Sequence, residues 1–273
     1  NGAGCRRELL LTDLLGQPIA GLAGYRRLAL ADIASTNASA LEMARAGDPG
    51  NLWVTARSQS AGKGRRGRPW VSEPGNLYAS LLLIDPAPIS KIGTLPLVAG
   101  LGVHRALRPF FASNPQALAI KLANDILVDG QKICGILLES EALADGLLAV
   151  AIGCGINCSA HPENPSYPTT DLAECGLDGG PEKVFPLLAG EMARVVAEWN
   201  GGAGFARARE DWLLAARGKG GPVTVRWQDS ETAGIFEDID RDGCLLLNVA
   251  GERRRISAGD LFFSTGEGRT YGG

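Results

Sequence analysis

The stretch "LAIKLANDILVDGQKICGILLESEALADGLLAVAIGCGIN", residues 118 to 157, leaves this chain the fewest ways to fold. Its apolar runs are divided at Asp129-Gly130, a pair that suits the two positive-φ positions of a tight hairpin turn. Another apolar run, 146–157, follows at once, so the segment reads as an antiparallel meander. Along its mostly apolar strands stand Lys121, Asn124, Asp125 and Lys132. A lysine in such a strand is costly unless it meets an anion, so the meander is expected to carry chemistry as well as structure.

Periodicity places the other elements around it. Residues 25–33, 51–59 and 76–85 read as strands, and "STNASALEMARAG" (35–47) as a helix. Ser35 or Thr36 would cap that helix, Leu41 and Ala44 would share its buried face, and Gly47 would end it. Further helices are expected over 91–111, 181–200 and 205–217, the first of the last two burying Leu187, Met192, Val195 and Val196. Residues 159–180, rich in Pro, Gly, Ser and Thr, read as a mobile loop. "GKGG" at 218–221 marks a boundary, followed by short strands and the Asp242-Gly243 turn, about the length of one small β-barrel. The expected layout is α+β: a lead (1–23), a main domain (24–217) with a mixed sheet flanked by helices, and a β-rich domain (218–273).

A net charge of −3 over 273 residues argues against a surface built as a whole for nucleic acid. Two histidines make a His-rich metal site untenable, and the six cysteines are scattered without C-x-x-C spacing, as reduced thiols of a cytoplasmic protein would be. No apolar run reaches membrane-spanning length, and the N-terminus lacks the pattern of a secretory signal.

"GKGRRGRPW" (62–70) packs four positive charges into seven residues and matches G-x-G-x-x-G. The dinucleotide fingerprint needs a helix opening at the third glycine, and Pro69, Pro74 and Gly75 leave no room for one. A P-loop fails too, because Gly62-Lys63 is followed by glycine rather than Ser or Thr. A solvated basic loop would not need three close glycines. A backbone wrapping an anion, free to adopt φ > 0, would.

"STN" at 35–37 stands at a strand-to-helix junction, where a plain N-cap competes with a ligand site. "IGCGIN" ends a strand with two glycines that let a ligand approach the backbone. Together, "STN", "Q-x-x-G-x-G-R-x-G-R-x-W", "K-x-x-ND", "K-x-x-GIL-E" and "IG-x-GIN" resemble the biotin protein ligases, from about residue 25 to the C-terminus. With nothing upstream of residue 24 long enough for a helix-turn-helix, the resemblance is to the monofunctional form without a DNA-binding domain.

The resemblance implies a class II synthetase-like fold with a C-terminal SH3-like barrel. It also implies an enzyme that makes biotinyl-5'-AMP from biotin and ATP with Mg²⁺, then passes biotin to a lysine of a biotin carboxyl carrier protein. Ser35, Thr36, Asn37 and Gln59 would hold the biotin head. Gly62, Lys63, Gly64 and Arg65 would close over biotin, with Gly153 and Gly155 lining its pocket. Lys132 and Arg65 would be catalytic. Arg66, Arg68, Trp70, Asn124, Asp125 and Asn157 would bind ATP, Asp125 also placing Mg²⁺, while "YPTTDL" (167–172) would cover the adenylate. The family usually has Lys-Trp-Pro-Asn-Asp where Leu122 and Ala123 stand here, and Arg where Lys63 stands. A lipoate or octanoate ligase or transferase is the alternative on the same scaffold, and a homodimer is left open.

Overall fold

A computed structural model describes residues 16–122, 124–162, 167–227, 230–257, 260–264 and 270–271. Most of the expected lead with Cys5, Ala123 of the altered motif, and part of the 159–180 loop lie outside these.

The main part runs β1 (Gln17–Pro18), β2 (Arg26–Ile33), α1 (Thr36–Arg45), β3 (Leu52–Gln59), β4 (Leu77–Ile84), α2 (Ile89–Ile92), α3 (Leu95–Leu107), β5 (Leu118–Lys121), β6 (Asp125–Val128), β7 (Gln131–Ala142), β8 (Leu148–Ile156), α4 (Pro181–Trp199) and α5 (Phe205–Ala215). Its strands form one eight-stranded sheet in the order β1-β2-β3-β4-β8-β7-β6-β5. Every pairing is antiparallel except β2 with β3, which are parallel and joined through α1. That single crossover brings the start of α1 and the end of β3 to the same end of the sheet, with Ile33 opposite Gln59.

Central strand β4, "LYASLLLI", is buried at every position but its last, because helices cover both faces. On one face α1 sets Ala40 and Ala44 against Leu28, Val54, Leu82 and Ala151. Leu41, expected on the buried side, is only partly covered. On the other face α3 and α4 bury Trp53, whose ring meets Phe185 edge-on at 5.7 Å. In α4 the buried stripe runs through Leu188 and Met192, and Leu187 is 37% exposed. The expectation for Leu187 was one residue out of phase, a 100° error on a helix.

The meander forms as its sequence demands, with Asp129 at φ 48° and Gly130 at φ 86° making the turn between β6 and β7. The run 118–128 is not one strand, however. It folds back around residue 124, so β5 and β6 pair with each other and Lys121 lies opposite Asp125.

Beyond residue 221 come β9 (Pro222–Trp227), β10 (Ser230–Ile239), β11 (Leu245–Val249), β12 (Glu252–Ile256), β13 (Asp260–Ser264) and β14 (Thr270–Tyr271). They form a separate antiparallel sheet, β12-β11-β10-β9-β13-β14. Among the described residues it is an open sheet rather than the closed barrel expected, with β12 and β14 at opposite edges. β12 is exposed along "ERRR", as a charged edge strand should be, and Arg253 and Arg255 pair with Glu237 and Asp240. The inner face packs Phe236 against Trp212 of α5, their rings 6.4 Å apart. Among the described residues no helix is long and apolar enough to cross a membrane.

Candidate active site

Where β2 gives way to α1, Ser35 has extended backbone (φ −161°, ψ 135°) and its hydroxyl accepts a long hydrogen bond, 3.5 Å, from the Ala38 amide. The plain N-cap is therefore present, and Ser35 also lines a cleft at this end of the sheet. Thr36 and Asn37, the next two residues, are buried and line the same cleft. Gln59, brought alongside by the parallel strands, accepts the Thr36 amide proton at 2.8 Å and donates to Ser72 at 2.9 Å.

Residues 62–70 form a finger rather than a loose loop. The Trp70 amide donates to the Gly62 carbonyl at 2.9 Å and the Gly64 amide to the Arg68 carbonyl at 2.7 Å, closed by a tight turn at Arg65–Gly67. The three glycines serve different ends. Gly67 has φ 71°, as expected for a positive-φ position, but its turn partner there is Arg66 at φ 57°. Gly62 is needed for closeness, since a Cβ would stand 2.6 Å from the Trp70 carbonyl and the Ser72 hydroxyl. Gly64 is extended, and its nearest neighbour would be an ordinary 3.6 Å away. The expectation that all three supply φ > 0 is thus corrected for Gly62 and Gly64.

The finger's two ends are tied to the meander. Arg65 donates to the Asn124 side-chain oxygen at 3.2 Å, and Asn124 donates to the Ile136 carbonyl at 2.8 Å. The Trp70 indole lies on Gly135 and Gly155, a directly paired couple on β7 and β8. A Cβ on Gly155 would stand 2.6 Å from that indole, and on Gly135 2.9 Å. Gly153 is bare for another side chain, because its Cβ would stand 2.5 Å from the Asn37 oxygen.

Lys132 sits between these parts, 7% exposed, with its Nζ 2.7 Å from Asp125 Oδ1. Burial, the largest single influence, lowers its pKa, but Asp125 together with Tyr167 outweighs it and holds the ammonium above its usual value. The Trp70 and Tyr167 rings flank the charge at 5.3 and 5.0 Å. Its backbone is bonded to Pro168 and Thr170, which straps the 167–172 segment to β7. Lys121 approaches the other Asp125 oxygen at 4.0 Å.

The cleft thus gathers Thr36, Gln59, Lys63, Gly64, Arg65 and Arg68 with Trp70, Asn124, Asp125, Lys132, Gly153 and Gly155. Gly62, Arg66 and Asn157 do not line it. Asn157 instead bonds the Thr170 carbonyl at 3.0 Å, beneath the strapped segment. Sequence reasoning passed over Ser80 and Glu139, which join Asn37 in a polar network. A serine within an otherwise apolar central strand, and the acid closing "GILLE", were the signals available. Among the described residues Asp125 is the one carboxylate lining the cleft, and two ammonium groups already face it. It does not fit as a direct Mg²⁺ ligand, since the metal would have to displace Lys132.

A model of the biotin/lipoate A/B protein ligase family matches residues 31–157, and one of the biotin protein ligase C-terminal domain matches 220–264. The chain is 40% identical to the biotin–[acetyl-CoA-carboxylase] ligase of Paracoccus denitrificans, covering 86% of this chain and 99% of that protein. This chain belongs to the biotin protein ligase family. The Mycobacterium tuberculosis protein described in the same words is 31% identical, over 91% of this chain and 93% of its own length. Among solved structures, the biotin protein ligase of Aquifex aeolicus in complex with biotin and ATP superposes with a TM-score of 0.72. It is 25% identical, over 86% of this chain and 97% of that one. In this member of the family, the first match spans the strands that build the cleft, from β2 through Asn157.

Proposed function

We propose that the chain joins biotin to ATP as biotinyl-5'-AMP and transfers the biotinyl group to a lysine of a biotin carboxyl carrier domain. The observation that carries this is the buried Lys132–Asp125 pair beneath an arginine-bearing finger, opening onto the neutral polar end formed by Thr36 and Gln59. A ligand with a neutral hydrogen-bonding head and a carboxylate tail suits that arrangement, the head at Thr36 and the tail at Lys132.

In the first step a biotin carboxylate oxygen attacks the α-phosphorus and pyrophosphate leaves. Two anions must meet, and Lys132 with Arg65 offsets their repulsion and the charge growing on the phosphoryl oxygens. Lys132 turns from Asp125 toward the substrates, leaving Lys121 beside the carboxylate. Mg²⁺ arrives as part of the nucleotide substrate, held by its phosphates. In the second step the neutral amine of the carrier lysine attacks the acyl carbon, AMP departs, and the amine loses its extra proton. The finger and the 167–172 segment shield the adenylate from water meanwhile. Free thiols at the five described cysteines suit a cytoplasmic setting.

The test is mass spectrometry of a carrier domain incubated with the protein, Mg-ATP and either biotin or lipoate. A mass gain equal to biotin less water, dependent on ATP and absent with lipoate, is expected. A gain only with lipoate would replace the reading, and no gain with either would end it.

A further inference from the structure

The polar end of the cleft is a chain of hydrogen bonds whose direction is set from one side. The Asn37 amide nitrogen lies 2.7 Å from Glu139 Oε2 and 3.2 Å from the Leu137 carbonyl. Neither a carboxylate nor a carbonyl can donate, so the NH₂ group must face them and Oδ1 must face Ser80. Ser80 is fully buried, with its Oγ 2.6 Å from Asn37 Oδ1 and 2.7 Å from Thr36 Oγ1. Its one proton goes to Asn37, which can only accept there. Thr36 must then give its own proton to Ser80. Gln59 Oε1, already accepting the Thr36 amide proton, stands 3.1 Å from Thr36 Oγ1 with no proton left between them.

Two acceptor oxygens therefore stand side by side where Thr36 and Gln59 line the cleft. Such a pair is costly if buried by a ligand with nothing to donate, and favourable if an N–H comes between. We propose that Glu139, acting through Asn37 and Ser80, is a positioning residue that makes Thr36 an acceptor toward the ligand and so selects a head group bearing N–H donors. Gly153 belongs to the same device, since a Cβ there would collide with Asn37. The inference rests on the biotin reading, whose cyclic urea carries two such N–H groups.

The test is calorimetric titration of the full chain with biotin and with two cyclic carbamate analogues, each having one ureido N–H replaced by oxygen. Wild type should bind at least one carbamate ~10²-fold or more weakly than biotin, as sites built to hydrogen-bond a group reject its absence. In Glu139→Gln the charged acceptor becomes an amide that can also donate, so only the Leu137 carbonyl, at the longer 3.2 Å, still holds the Asn37 NH₂ inward; a share of the molecules then reverses the chain, and in these Thr36 is a donor. Biotin should then weaken by about tenfold and the biotin-to-carbamate ratio narrow by at least as much, with the KM for ATP unchanged. Ser80→Ala should narrow the ratio by itself and make Glu139→Gln without further effect. A ratio unchanged within about twofold in both variants, or strictly additive effects, would overturn the relay while leaving biotin binding intact. Wild type that binds no biotin would remove the functional reading, a different result from either.

Discussion

Lys132 Nζ and Asp125 Oδ1 are 2.7 Å apart on adjacent strands, and neither side chain is more than a tenth exposed. Truncating one partner of such a pair leaves the other charged, buried and unanswered. Asp125→Asn is expected to destabilise the fold by about 3–5 kcal/mol, read from denaturation midpoints. The sign with pH follows from the raised pKa of Lys132. A pKa above its unfolded value gives stability that is complete below the ordinary lysine range and fades as pH climbs through the folded value. Wild type should therefore lose stability on strong alkalinisation more steeply than Asp125→Asn. Identical alkaline slopes would show that the pair is not coupled.

On the proposed reading Lys132 faces both the biotin carboxylate and the α-phosphate. Lys132→Ala should cut biotin-dependent pyrophosphate release by ~10²-fold or more, the scale of losing one transition-state contact. Melting curves establish that the variant is folded. A rate near that of wild type would move the catalytic role elsewhere.

How the finger rests on the sheet leads to a third expectation. The cleft beneath it holds a free volume of about 70 Å³, well under the ~300 Å³ at which enclosed ligand pockets begin. Substrate admission thus requires Trp70 and the finger to lift, freeing the backbone around Lys63, Arg66 and Arg68, whose side chains are already exposed, to enter a protease site. Tryptic cleavage there should slow when biotin and ATP are bound together. Gly155→Ala puts a methyl group 2.6 Å from the indole and should expel it, speeding cleavage of the ligand-free chain and red-shifting tryptophan emission. Cleavage indifferent to ligand and to this substitution would argue for a fixed finger.

Much of this site was legible because its residues break local rules. Lys132 stands in an apolar strand, and Ser35-Thr36-Asn37 opens a helix directly after one. Asp129-Gly130 announces its turn through φ alone. The turn around residue 124 was hidden, since Lys121, Asn124 and Asp125 read as site chemistry set in an apolar run rather than as a break in it, and only the pairing of Lys121 with Asp125 reveals it. Gly135 and Gly155 meet only through strand register, so nothing local says that Trp70 will lie on them. Ser80 and Glu139 each left a local signal, but that they belong together was not legible, because their shared partner Asn37 is more than forty residues from either.

His104, on the buried side of α3, provides a pH test away from the cleft. Burial is the main cause that lowers its pKa to about 4, and its Nε2 lies 3.4 Å from the Leu118 carbonyl. The folded chain resists protonation there while the unfolded chain accepts it near the ordinary value of 6.5. Stability is thus unaffected above that value and falls as pH drops toward 4, by up to about 3 kcal/mol. His104→Gln should flatten this part of the pH–stability curve relative to wild type. Parallel curves would show that the imidazole is not confined.

Leu122 stands at the tryptophan position of the motif that the sequence resembles, and it lines a second cavity of about 270 Å³ between the start of α3, β7 and the C-terminal sheet. The walls include Leu97, Ile136, Val225, Leu245 and Leu261, and the cavity adjoins the cleft at Arg65 and Asn124. A larger apolar side chain can fill such space without forcing its neighbours apart, and cavity filling commonly adds about 0.5–2 kcal/mol. Leu122→Trp is therefore expected to raise the melting temperature while leaving the KM for biotin unchanged. A fall in stability would mean that the surrounding walls cannot accept the indole, as in overpacked cores. The contact between the two sheets' surroundings would then have to be closer than the cavity implies.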